Sequence, residues 1–125
     1  GPPLTPLNRA YEFGKSIRKA CDSIDTKIAI VGTGGISHWP CTPDSGKINE
    51  DFDKTFLKNF ISNDKKALLS YSDKETYEKA GQGGFEIRTW IAIAGACEGS
   101  TGELWCYEPI PNYAVGCTLA SMEIS

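Results

Sequence analysis

The stretch Ile30-Val31-Gly32-Thr33-Gly34-Gly35-Ile36-Ser37-His38-Trp39-Pro40 drives an apolar run into a glycine-rich turn that ends on the sole histidine of the chain. The glycines at 32, 34 and 35 let backbone approach a ligand or a neighbouring element closely. Imidazole is the side chain best suited to move a proton near neutral pH. The β-branched segment Lys27 to Val31 predicts a strand feeding this turn. A tight turn whose histidine is merely exposed or hydrogen-bonded accounts for the same residues, so the rest of the chain must decide between the two.

Upstream, Thr5-Pro6 reads as a cap followed by proline in the first helical turn. Leu7, Tyr11, Gly14, Ile17, Cys21 and Ile24 then recur at three- and four-residue spacing, the signature of an amphipathic helix. Downstream, Trp39 to Lys47 holds Pro40, Pro43, Asp44, Ser45 and Gly46 and reads as a loop. Asn49 caps a predicted helix with Glu50, Asp51 and Asp53 in its first turn and Phe52, Phe56, Leu57, Phe60 and Ile61 as its buried stripe. Those acids suit the positive end of a helix dipole and need no functional reading. Ser72-Asp73-Lys74-Glu75 is a capping box opening a short helix that Gly81 can end. Gly83 to Ala96 predicts a helix apolar nearly all round, with Glu86 as its outlier. A glutamate there ordinarily serves the helix dipole at the surface. Leu104 to Ile110 and Ala114 to Met122 predict two strands separated around Pro109, Pro111 and Asn112.

With 125 residues and 40% hydrophobic content, the chain suits one small domain, complete or partial, over 1–125. A net charge of -3 and basic residues in no run longer than Lys65-Lys66 give no footprint for nucleic acid or an anionic membrane. No apolar run reaches the about 18 residues of a membrane-spanning helix. The proline-rich start lacks a signal-peptide pattern, and the expected location is the cytoplasm. Five cysteines at irregular separations, with no Cys-x-x-Cys pair, point to reduced thiols. Cys21, Cys97 and Cys117 read as small buried apolar groups, while Cys41 lies beside the histidine turn.

Gly32-Thr33-Gly34-Gly35 is no phosphate-binding loop, because neither a helix start nor the Lys-Ser/Thr of a P-loop follows, and a third glycine in dinucleotide spacing is missing. Ser37 beside His38, without a Gly-x-Ser-x-Gly elbow, gives no hydrolase signature.

Several motifs taken in order do carry a resemblance. Gly32 to His38, Gly46-Lys47-Ile48-Asn49 with Phe52-Asp53, Ala80 to Glu86 with Trp90, and Tyr107 through Asn112 to Ala114-Val115-Gly116 resemble the C-terminal half of the type III extradiol ring-cleaving dioxygenases. The resemblance is strongest to the protocatechuate 4,5-dioxygenase beta-subunit branch, and even Pro2-Pro3-Leu4-Thr5-Pro6 fits it. It implies an α/β fold with helices packed around a mixed sheet. It also implies cleavage of a catechol-type aromatic acid, protocatechuate- or gallate-like, with O2 at a non-haem Fe(II) held by two histidines and a glutamate. By that resemblance Glu86 matches the metal-binding glutamate, and His38 matches a histidine that assists proton transfer.

The family's iron-binding histidines lie in its N-terminal half, which has no counterpart here, and one histidine cannot complete the set. The resemblance therefore implies an incomplete portion of a dioxygenase, alone inactive, partnered by a missing N-terminal half or another subunit in a homo- or hetero-oligomer. The rival expectation is an inactive binding or assembly module that keeps the fold. Tyr107, Pro109, Asn112 and the Trp39-Cys41 loop are further candidates for pocket or subunit contacts.

Overall fold

Apolar residues at helical spacing place α1 at Leu7–Asp22 in the computed structural model, which describes residues 3–124. Pro2, part of the proline-rich opening, lies outside the described residues. Thr5 does not cap α1. Pro6 holds that position with ψ of 145°, which keeps it out of the helix, and the Thr5 carbonyl instead accepts from Arg88 Nε at 2.7 Å. Helix α2 (Glu50–Ile61) starts as expected, the Asn49 side chain accepting from the Phe52 N–H at 3.1 Å. The single-turn α3 (Lys65–Leu68), capped by Asp64, is too short to leave a periodic signal. Helix α4 (Asp73–Ala80) has its Ser72 cap and stops at Gly81, whose φ of 75° an L side chain rarely adopts.

The single helix expected from Gly83 is broken in two. Gly83–Glu86 forms a 3₁₀ turn and α5 covers Ile87–Ala96. The glycines at 83 and 84 favour helix poorly, and the Gly83 N–H is drawn to the His38 carbonyl at 3.2 Å. Strands β1 (Gly102–Ile110) and β2 (Val115–Met122) pair antiparallel, from Gly102 opposite Met122 to Ile110 opposite Val115, with one irregularity between Leu104 and Cys106. Helices packed with a sheet give the α/β class expected.

The predicted strand at Lys27 to Val31 does not form. The segment has no ladder partner among the described residues, and Ile28, Ile30 and Val31 stay exposed as it runs beside α5. A β-branched run sets local preference, but a strand exists only through inter-strand bonds.

Helix α1 lies along α5 at close range because two glycines face the opposite backbone. A Cβ on Gly14 would strike the Ala92 carbonyl, and one on Gly95 would strike the Tyr11 carbonyl. Tyr11, Phe56, Leu57, Leu68, Ile87 and Ile91 fill the core beneath. Trp90 meets Phe56 and Phe60 edge-on at 6.3 and 5.1 Å, pairs worth about 0.5–1.5 kcal/mol each beyond burial. Asn63, at φ of 47°, donates to the Ala94 and Cys97 carbonyls at 3.0 and 2.8 Å and accepts from the Tyr11 hydroxyl at 3.4 Å. One side chain thus closes the end of α5 and ties it to α1. No helix of the described residues is long and apolar enough to cross a membrane.

Burial, with Glu98 nearby, pushes the Tyr11 phenol up to about 12 from an ordinary 10.0. The unfolded chain loses this proton first, so the folded state binds more protons between those values. Its contribution is complete below pH 10 and is lost as pH rises toward 12. Urea midpoints measured across this range should fall with pH, and Tyr11→Phe should flatten the fall; equal slopes for both proteins would contradict the assignment.

Candidate functional site

His38 is held by its own backbone before its ring does anything. Its N–H donates to the Ala80 carbonyl at 2.9 Å and its carbonyl accepts from the Gly83 N–H at 3.2 Å, which stitches the residue into the turn leaving α4. The imidazole lies against Gly83, where a Cβ would come within 2.5 Å of its Cδ2 and Nε2. Nδ1 is 3.1 Å from the Ile36 carbonyl, an acceptor only, so Nδ1 carries a proton and Nε2 is the atom left to gain or lose one.

Nε2 faces Glu86. The separation from Oε2 is 3.7 Å, an ion-pair distance when the imidazole is protonated and too long for a hydrogen bond. Glu86 owes its place to the end of the 3₁₀ turn before α5, and its Oε2 accepts from the Gly35 N–H at 2.6 Å. The glycine turn is fixed in its own right, because the Trp90 indole N–H donates to the Gly34 carbonyl at 3.0 Å. The Glu86 side chain is 50% exposed against 12% for His38, so the carboxylate is the member open to a group arriving from outside.

Asp53 departs from its sequence reading. It is no surface acid serving a helix dipole; it is fully buried. Its two oxygens accept from the Ser37 N–H at 2.8 Å and the Tyr107 hydroxyl at 2.6 Å. Burial pushes its carboxyl up, while the bonds from Tyr107 and Ser37 pull it down. The Tyr107 phenol is driven well above its usual range by burial and by the Asp53 carboxylate. The signal was present in the sequence: Asp53 shares the helical face of Phe56, Leu57 and Phe60 at spacings of three, four and seven. Tyr107, a pocket candidate from sequence, has its hydroxyl turned onto this acid.

As a site for Fe(II), the donor set is incomplete. Glu86 is one hard oxygen ligand, and His38 has Nδ1 committed to Ile36. Among the described residues no group of three or more His, Cys, Asp and Glu side chains converges. A facial site needs two histidines besides the carboxylate. Next to the glycine turn runs an open groove of about 760 Å³ between the unpaired 28–34 segment, α5 and β2, with Ile28, Ile30, Ile93, Leu119 and Met122 among its walls. Cys41 is exposed and Cys97 buried, and all five cysteines are free thiols.

Comparison with known proteins gives the family. A family model described as the catalytic LigB subunit of aromatic ring-opening dioxygenase matches residues 2–118. A gallate dioxygenase of Pseudomonas putida is 34% identical over 95 residues, covering 74% of this chain and 28% of that protein. A 2,3-dihydroxyphenylpropionate/2,3-dihydroxicinnamic acid 1,2-dioxygenase of Dechloromonas aromatica is 23% identical, covering 92% of this chain and 51% of its own length. The corresponding protein of Paraburkholderia xenovorans is 24% identical over 90% of this chain and 50% of its own length. The chain thus spans about half the length, or less, of these curated relatives.

The packing of the ring on Gly83 is testable directly. Gly83→Ala should displace the His38 imidazole and cost about 1–3 kcal/mol from overpacking. The single histidine signal in a ¹H–¹³C spectrum should shift; an unmoved signal with unchanged stability would contradict this contact.

Proposed function

This chain belongs to the family of catalytic LigB subunits of aromatic ring-opening dioxygenases, and on that premise we propose that it carries one part of an extradiol active site. The reaction would be cleavage of a catechol-type aromatic acid, protocatechuate- or gallate-like, with both atoms of O2 entering the ring-opened product. The observation behind this reading is the convergence of Glu86 with the sole histidine, Nε2 to Oε2 at 3.7 Å, on a turn fixed from three other segments.

In this reading Glu86 supplies one carboxylate ligand to a non-haem Fe(II). The two histidine ligands come from polypeptide outside this chain, either a missing N-terminal half or a partner subunit. Bound iron would supply open coordination positions for the substrate hydroxyls and O2. The Gly35 N–H orients the carboxylate through Oε2. His38 takes a proton at Nε2 and returns it, with Nδ1 held protonated by the Ile36 carbonyl. The apolar groove along the 28–34 segment supports a covering partner on that side, since an exposed β-branched stretch without a ladder partner among the described residues favours association. A second reading, an assembly module that keeps the fold without chemistry, is favoured for the chain alone by its lack of a convergent third ligand among the described residues.

Combining this chain with the N-terminal half of a type III extradiol dioxygenase, fused or co-expressed, separates the two readings. The chain alone should neither retain Fe(II) nor cleave protocatechuate or gallate, and the combined protein should do both. There, Glu86→Gln should abolish iron retention, a neutral amide being a poor ligand for a hard cation. His38→Phe should keep the iron and lower turnover by about 100- to 10,000-fold. Ring cleavage by the isolated chain would defeat the incomplete-site reading, and iron loss in His38→Phe with full activity in Glu86→Gln would reverse the two roles.

A further inference from the structure

Asp53 has no part in the reading just given, yet it is the one fully buried carboxylate among the described residues. Burying an acid is costly unless its oxygens are satisfied, and a leucine would serve the same face of α2 without that cost. Both oxygens are satisfied, and the bonds converge on one place. Oδ1 accepts from the amide of Ser37, the residue immediately before His38, at 2.8 Å. Oδ2 accepts from the Tyr107 hydroxyl on β1 at 2.6 Å. Ser37 is held a second time, its Oγ accepting from the Asn49 N–H at 2.8 Å at the start of α2.

We propose that Asp53, clamped by Tyr107, is a positioning residue for His38. The carboxylate fixes the Ile36–Ser37 peptide, the unit whose carbonyl faces Nδ1 of the His38 ring at 3.1 Å, while Ala80 and Gly83 hold the N–H and carbonyl of His38 itself. With its N–H and carbonyl held and Nδ1 directed to the Ile36 carbonyl, the ring is placed against Gly83 and facing Glu86. Tyr107 prevents the carboxylate from turning away from Ser37. The hairpin β1–β2 thereby acts on the site through a buried acid, in addition to laying Val115 against Gly35. The consequence for chemistry rests on the role proposed above for His38, but the positioning is read on the ring.

The experiment uses the 125-residue chain, in which the sole histidine gives one ring signal. Nuclear Overhauser contacts from that ring to Gly83 and Gly35, together with amide exchange at Ser37 and His38, report its placement. Asp53→Ala should erase the contacts and speed exchange at both amides by about tenfold or more. Asp53→Asn should restore them, because its Oδ1 still accepts from Ser37 and its amide can donate to the Tyr107 oxygen. Leu57→Ala, an equally buried change on α2, should lower stability and leave the contacts in place. Should Asp53→Ala fail to fold, Tyr107→Phe decides, with exchange at Ser37 accelerated and the ring signal broadened. Unchanged contacts and exchange in the folded Asp53→Ala variant, unchanged Ser37 exchange in Tyr107→Phe, or equal loss in Leu57→Ala would overturn the proposal. In the combined dioxygenase, Asp53→Ala should retain iron and lose turnover. A displaced ring with full turnover would instead overturn the catalytic role of His38 and leave the positioning intact.

Discussion

The crossing of α1 and α5 sets the geometry on which the rest depends. Gly14 faces the Ala92 carbonyl and Gly95 faces the Tyr11 carbonyl, each with no room for a side chain. Two helices brought this close cannot slide without backbone meeting backbone, so α5 has one axial position. That position delivers Ile87, Ile91 and Ala94 to the core. It also places the turn at Glu86, the residue at the N-terminal end of α5, against the glycine loop. Asn63 reinforces the arrangement at the opposite end by tying the last carbonyls of α5 to the Tyr11 hydroxyl. The site inherits its precision from a contact between two helices, one of which carries none of its residues.

Much of this was legible in the sequence because it rests on local chemistry. The Asn49 and Ser72 caps, the stop at Gly81 and the two strands around Pro111 each follow from a side chain acting within a few residues of itself. What was not legible depends on distant partners. Lys27 to Val31 has strand composition but, among the described residues, no strand to bond, and composition alone does not make a ladder. The helix expected over 83–96 was interrupted because His38, far away in sequence, takes the Gly83 amide. Asp53 reads as a helix-dipole acid from its place in the first turn, although it shares an apolar face with Phe56, Leu57 and Phe60. The decisive fact, that Ser37 and Tyr107 both donate to it, has no local signature.

In the proposed reading, one side chain is prepared for a role that the chain does not complete. Both contacts of the Glu86 carboxylate fall on Oε2, from the Gly35 amide and the His38 ring, and the side chain remains half exposed. A carboxylate serving only the start of a helix would need neither the glycine turn nor the indole bond from Trp90 that holds that turn. His38 is the reverse case, nearly enclosed, with backbone and Nδ1 committed and Nε2 alone available. An orientation fixed in advance lowers the cost of assembling further ligands on it, because the ordering is already done by the fold. An arrangement with the acid turned outward and the base turned inward fits a site finished by another stretch of polypeptide. In the proposed reading that stretch arrives along the 28–34 segment, where the apolar groove leaves Ile28 and Ile30 to be covered.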